Sequence, residues 1–431
     1  MEASPSRGPK ASPFRLILAG AGVLLAAVLL VQQVGRLFAD RSIMPPDDFV
    51  EYWAAGRLNA QGENPYDAAN LFPLEKEAGR TALPVDSVGN ETAVMMWNPP
   101  WALTVVMPLG LLDARLGQLL WLLLHLGVIV FCADWAWRYY QGPAGYRWLA
   151  WALALTFVPT LIVLRAGQIG PLILLGIVGF LHFERKAYGE GGMLSRPKEA
   201  KEEPPRSNEG RESMAPKPLP LFLAGAACVL IAIKPHLLFL FWIALGLWAV
   251  ERRRWAVLLG GIATGLIATA IAMLCNPSVC QQYWLAVTHH PPEEWVSLTI
   301  GSILRLLLGE NRFWLQFVPA VPALVWLCVY WRKHHSFWNW GDQLPLLVLV
   351  SFLTTFYGAW PFDLVILLLP IVQAAVWAFH ERRLRVPALA IYLTIDLLAL
   401  VLNLAGVTSI WFIWMTPALL AGYLSLRAAR L

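Results

Sequence analysis

Twelve apolar stretches, at residues 14–34, 116–136, 148–164, 168–183, 219–233, 236–250, 255–274, 313–331, 344–358, 361–379, 386–404 and 409–426, follow one another along the chain, most of them separated by short polar breaks. About 20 apolar residues in a helix cross a bilayer, so a series like this folds as a bundle of membrane helices or not at all. Several runs are shorter than a full span, which leaves their ends open. Charged residues make up 14% of the chain, against about 25% in a soluble domain, so no water-facing surface large enough to cover such a core is encoded. The same composition excludes a disordered, collagen-like or disulfide-rich secreted chain. The predicted fold is an all-α polytopic integral membrane protein.

The net charge of +5 comes from basic residues gathered between the apolar runs. That is how topology signals are placed, so no nucleic-acid partner is expected. Arg7, Lys10 and Arg15 precede or open the first run and mark an anchor with its N-terminus inside; a cleaved signal peptide is the rival reading. Pro99 to Leu112 is also apolar. If it does not cross, the clusters Arg138/Arg147, Arg252–Arg254, Arg332/Lys333, Arg382/Arg383/Arg385 and Arg427/Arg430 all share the side of the N-terminus, as the positive-inside rule asks. Residues 99–112 are therefore expected to be a re-entrant or interfacial helix, started at the Asn98-Pro99-Pro100 break. The expectation is about twelve spans in a cell membrane with both termini cytoplasmic. It divides the chain into an N-terminal half (1–183), a disordered charged linker (184–218) and a C-terminal half (219–431).

With that topology the remaining ionisable residues collect on the extracytoplasmic side. The loop at 37–98 holds ten acidic residues, among them Asp40, Asp47, Asp48, Glu51, Glu75 and Asp86. Other turns on that side present Arg165 to Gln168, Lys234-Pro235-His236, His289 and His290 with Glu293 and Glu294, and Tyr357 to Asp363. Ionisable groups at membrane depth are costly and are functional candidates. Asp47 and Asp48 precede Phe49, Tyr52, Trp53 and Ala55, whose spacing suits a short helix against the membrane; each Asp is either its N-cap or, for Asp48, a general base for a sugar hydroxyl. Arg165 and Lys234 either snorkel or hold a phosphate. Asp363 either caps a helix or bonds a sugar. His289 and His290 lack metal-ligand spacing and are assigned to acceptor or phosphate contact, so no metal and no cofactor are expected. Tyr52, Trp53, Tyr66 and Trp97 are candidates for contact with sugar rings, against the alternative of interfacial belt anchors. Of the five cysteines, Cys275 and Cys280 lie near one loop and form a disulfide only if it faces an oxidising compartment.

Four segments in order carry a resemblance. They are DFVEYWAAGRLNAQGENPYD from Asp48, WNPPWAL from Trp97, AGQIGPLILL from Ala166 and IKPHLLFLF from Ile233, with a weaker echo in FYGAWPFDLVILLLP from Phe356. Together they resemble glycosyltransferase family 87, the polyprenyl-phosphate-mannose-dependent mannosyltransferases of the GT-C superfamily. The resemblance implies a catalytic Asp in the first outer loop, at Asp48, four residues before Tyr52. It also implies amphipathic juxtamembrane helices on the outer side, a polyprenyl-phosphate sugar as donor, a lipid or glycan acceptor, and inversion at the anomeric carbon. The expected reaction is direct displacement, with Asp48 as base and Arg165, Lys234 and His236 on the leaving phosphate; Asp47, Gln168 and the aromatic residues above contact substrate. Two other classes compete: a transporter or flippase of lipid-linked sugars, and a non-catalytic partner in envelope assembly. No internal repeat of the kind transporters carry is evident.

Overall fold

A computed structural model describes residues 35–36, 45–80, 91–189, 216–289 and 297–430. The apolar run at 14–34, most of the linker, Asp40, Asp86, His290, Glu293 and Glu294 lie outside the described residues.

The described residues are helical. Two short helices come first, α1 (Phe49–Ala60) and α2 (Ala68–Glu77), then α3 (Pro100–Gly110) and the long α4 (Ala114–Tyr139). Next come α5 (Arg147–Thr156) and α6 (Val158–Ala166), followed by α7 (Gly170–Tyr188), α8 (Pro218–Ile231), α9 (Phe239–Glu251) and α10 (Trp255–Cys275). The chain continues through α11 (Val279–His289), α12 (Ile300–Leu308), α13 (Ala320–His334) and α14 (Trp340–Thr354), and ends with α15 (Leu368–His380), α16 (Arg382–Leu404) and α17 (Met415–Arg430). Six helices are long and apolar enough to cross a membrane, counting Phe313–Phe337, Asp363–His380 and Ser409–Arg430 with their 3-10 extensions. The pair α5 and α6 makes a seventh if its 58° bend lies within one span. The helices match the apolar runs within a few residues, because the polar breaks that end each run also end each helix.

Outward-facing residues of α10 and α16 are large and apolar, among them Leu259, Ile262, Leu266, Leu389, Leu397 and Val401. Apolar surface on that scale belongs against lipid. In contrast, α1 is buried almost all round, with Phe49, Val50, Tyr52, Trp53, Ala54 and Ala55 at 2% exposure or less. It packs under α3 and α4, and Gly56 lets the α3 backbone approach closely at Val106. Helix α3 begins at Pro100, as the double proline demanded, and at 11 residues is about 16 Å long.

The bend between α5 and α6 has a local cause. Pro159 sits in the first turn of α6 and interrupts the helical ladder. The Val158 N–H is taken by the Asp396 carboxylate of α16 at 2.8 Å. Thr156 Oγ1 lies 2.9 Å from the Tyr392 hydroxyl, so two side chains of α16 clamp the break. Helix α6 leads from that clamp to the polar end of the bundle.

Candidate active site

Five separate segments bring polar side chains to one end of the bundle. Helix α1 starts at Phe49 with Asp48 in the N-cap position, yet the Asp48 carboxylate caps nothing. One oxygen instead pairs with Arg80 at 3.2 Å, and the other accepts from Gln168 Nε2 at 3.1 Å. The capping alternative therefore does not describe Asp48. Asp47 beside it has φ of 36°, in the left-handed region. Its carboxyl is pushed upward by burial and by the Asp48 charge, against the pull of Arg80 and Arg165.

Gln168 is the hub. Its amide nitrogen donates to Asp48 and, at 3.1 Å, to Glu51; its carbonyl oxygen accepts from the Tyr52 hydroxyl at 2.7 Å and from Lys234 Nζ at 3.1 Å. Lys234 also pairs with Asp363 at 2.9 Å, and Asp363 is fully buried, its second oxygen accepting the Trp360 N–H. Burial and the Asp48 charge push the Glu51 carboxyl well above the usual range, with Tyr52, Lys234 and Arg80 opposing. A protonated Glu51 beside an Asp is the arrangement that like charges a few ångströms apart adopt.

The local sequence explains how each group is presented. Gly167 ends α6 at φ of 72°, which an L side chain adopts only with strain, and turns the chain so that Gln168 faces Asp48. A methyl group there would lie 2.7 Å from Phe49 Cβ. Gly167→Ala is therefore expected to cost about 1–3 kcal/mol through the backbone conformation and the clash. A thermal midpoint equal to that of the wild type would contradict this account of the turn. Arg80 arrives by a second glycine turn: α2 closes with Gly79 N–H on the Lys76 carbonyl and Arg80 N–H on the Glu75 carbonyl, a Schellman pair.

The remaining expected residues fall around this centre or away from it. Arg165, at the end of α6, is exposed and acts electrostatically on Asp47. His236 packs edge-on against Tyr357 at 5.9 Å, one turn beyond Lys234. Tyr66 is buried; its hydroxyl donates to the Asn98 carbonyl, while Asn98 Nδ2 donates to the Ile233 carbonyl, so both support the Lys234 turn from behind. Trp53 is buried with its indole N–H on the Leu112 carbonyl and offers no ring face to a ligand. Trp97 is half-buried in the approach to α3. His289 is exposed at the end of α11, its ring nitrogen 2.9 Å from the Leu285 carbonyl, and is not part of the cluster. Cys275 and Cys280 are free thiols.

Sequence reasoning did not single out Arg80, since an arginine in a hydrophilic loop carries no signal of its own. It also missed Glu75 as a buried group. Glu75 is fully buried, with one oxygen on the Val94 N–H at 3.0 Å and the other without a hydrogen-bond partner. Burial raises its carboxyl to about 7, with the Val94 bond and Arg80 opposing. This folded value lies above that of the unfolded chain, so the folded state binds more protons in between, and stability falls as pH rises from about 4.5 to 7. Glu75→Gln is expected to raise the thermal midpoint at pH 8 and leave it unchanged at pH 4. The same difference at both pH values would rule out a buried titrating carboxyl.

Long apolar helices with lipid-facing surfaces and a polar cluster at one end define a polytopic membrane protein with a chemically equipped edge. The family model of glycosyltransferase family 87 matches residues 97–356, more than half of the chain. The chain belongs to that family and is a membrane glycosyltransferase. No curated protein and no solved structure matches it. The matched region includes the Trp97, Gln168 and Lys234 segments, whereas Asp48 precedes it and Asp363 follows it.

Proposed function

We propose that the protein transfers a hexose, by family habit mannose, from a polyprenyl-phosphate sugar to a lipid or glycan acceptor, with Asp48 as general base. The observation that carries this reading is the Asp48 carboxylate itself. It stands at a helix start without capping it and is held by Gln168, whose other end touches the Lys234–Asp363 pair. A base and a cation are thus set on the two ends of one amide. Asp48 takes the proton of the acceptor hydroxyl, the freed oxygen bonds to the anomeric carbon from the face opposite the phosphate, and the carbon–phosphate oxygen bond breaks with inversion. The leaving polyprenyl phosphate keeps the electron pair and needs no proton if cations meet its charge. Lys234 has three N–H donors, two of which face Asp363 and Gln168, leaving one for phosphate. Arg165, exposed beside Asp47, is the second cation, and His236 flanks the turn.

Topology supports the same reading. The basic clusters at Arg138/Arg147, Arg252, Arg382/Arg383 and Arg427/Arg430 sit at the bundle end opposite Lys234, which by the positive-inside rule supports a site on the extracytoplasmic side of the cell membrane. At about 16 Å, α3 is half the hydrocarbon thickness and is assigned a re-entrant course, which leaves about twelve spans around the linker.

The test is transfer of radiolabelled sugar from a panel of polyprenyl-phosphate sugars to lipid extracts by the purified protein. Turnover with one donor is expected, and it names the sugar. Absence of turnover with every donor, together with passage of lipid-linked sugar across proteoliposomes, would replace this reading with that of a transporter.

A further inference from the structure

The span Asp363–His380 starts at the Lys234 pair and runs about 25 Å to the opposite end of the bundle. Near that far end an apolar cavity of about 360 Å³ lies between α5, α15, α16 and α17, walled by Leu149, Leu153, Ile371, Ala375, Leu389 and Leu419. Leu389 is 58% exposed on the lipid-facing surface of α16, so the cavity wall is continuous with the surface that meets hydrocarbon. Arg385 also lines the cavity. The guanidinium donates to the Phe379 carbonyl at 3.0 Å and lies 5.4 Å from the centre of the Phe379 ring. It has no carboxylate partner among the described residues. Its neighbours differ: Arg383 and Arg430 both pair with Glu381, and Arg138 and Arg147 both pair with Asp134. The nearby carboxylates Glu381 and Asp134 are thus occupied by other arginines, and of the cations left without a carboxylate among the described residues Arg385 is the one that lines the apolar slot.

We propose that this cavity binds one hydrocarbon chain of an anionic membrane phospholipid, whose phosphate rests on Arg385. The fit is one of amphiphile to amphiphile, with apolar walls for the chain and an uncompensated cation at the water-facing end for the headgroup, as in basic pockets between membrane helices generally. The site is in the leaflet opposite Lys234 and is separate from the transfer site.

The test uses the full chain, stripped of lipid in detergent, with native mass spectrometry and thermal unfolding as readouts. The probes are phosphatidylglycerol, phosphatidylcholine with the same chains, glycerol 3-phosphate and a polyprenyl phosphate. One phosphatidylglycerol is expected to be retained per chain, at least fivefold over phosphatidylcholine, with a rise in thermal midpoint. Arg385→Gln should erase the preference, and Ala375→Phe, which fills the slot, should prevent retention of either phospholipid. Arg385 is exposed, so its variant keeps the test decisive if the core variant fails to fold. Equal retention of the two phospholipids by the wild type, or an unchanged preference in Arg385→Gln, would overturn the proposal. So would a rise in midpoint with glycerol 3-phosphate alone, which would mark a simple anion site, or displacement of the phospholipid by polyprenyl phosphate, which would assign the cavity to the donor.

Discussion

Asp48→Asn is expected to lower the transfer rate by about 10³-fold while donor affinity changes by no more than a few-fold, since general bases contribute 10²–10⁴-fold. The substitution keeps the size of the side chain and lets it still accept from Gln168. It removes the charge and the basicity and, with one oxygen in place of two, gives up the Arg80 bond, so a merely structural role would show as a lower thermal midpoint with turnover near the wild-type level. Purified variant and wild type, compared in initial rates and in donor binding measured separately, distinguish the two. Retained turnover would move the base to Glu51 or Asp47, the two carboxyls within the same electrostatic cluster. The bond from Arg80 adds a condition: its guanidinium occupies one carboxylate oxygen and competes there with the acceptor hydroxyl. Arg80→Gln is thus the informative companion, expected to leave the fold in place and to change the initial rate of transfer.

The second large effect is at Lys234. Lys234→Met removes the cation from Asp363, which is fully buried. A buried charge stripped of its partner costs about 3–5 kcal/mol, so the thermal midpoint should fall sharply and transfer should be lost. Lys234→Met combined with Asp363→Asn should recover most of the midpoint without recovering transfer, because the neutral amide no longer needs a cation although the phosphate does. Additive losses in the double variant would mean that the two residues are not coupled, and the pair would then explain neither stability nor phosphate binding.

Helix positions were legible because, in a membrane, the apolar run and its polar interruption are the fold signal itself. The Lys234 turn, the Arg165–Gln168 turn and Asp363 stood out for the same reason, each being an ionisable or polar residue where apolar sequence was the rule. What did not follow from sequence is who meets whom. The burial of α1 depends on α3 covering it, and no local period announces that; Trp53 and Tyr66 read as surface aromatics and turned out to be internal supports. Arg80 was invisible because the loop that carries it is hydrophilic throughout, although the Gly79 turn before it gave the one local cue. Gln168 was picked as a ligand contact, while its four partners make it the organiser of the cluster.

The clamp on the bend between α5 and α6 bears on how the enzyme senses its surroundings. Helix α6 ends in Arg165, Gly167 and then Gln168, and its direction is set where Asp396 and Tyr392 hold the break. Those two residues belong to α16, whose other faces meet lipid. A helix so placed tilts when the bilayer thins or thickens. The two hydrogen bonds thus tie the course of a helix with lipid-facing surface to the turn that presents the Gln168 amide to Asp48.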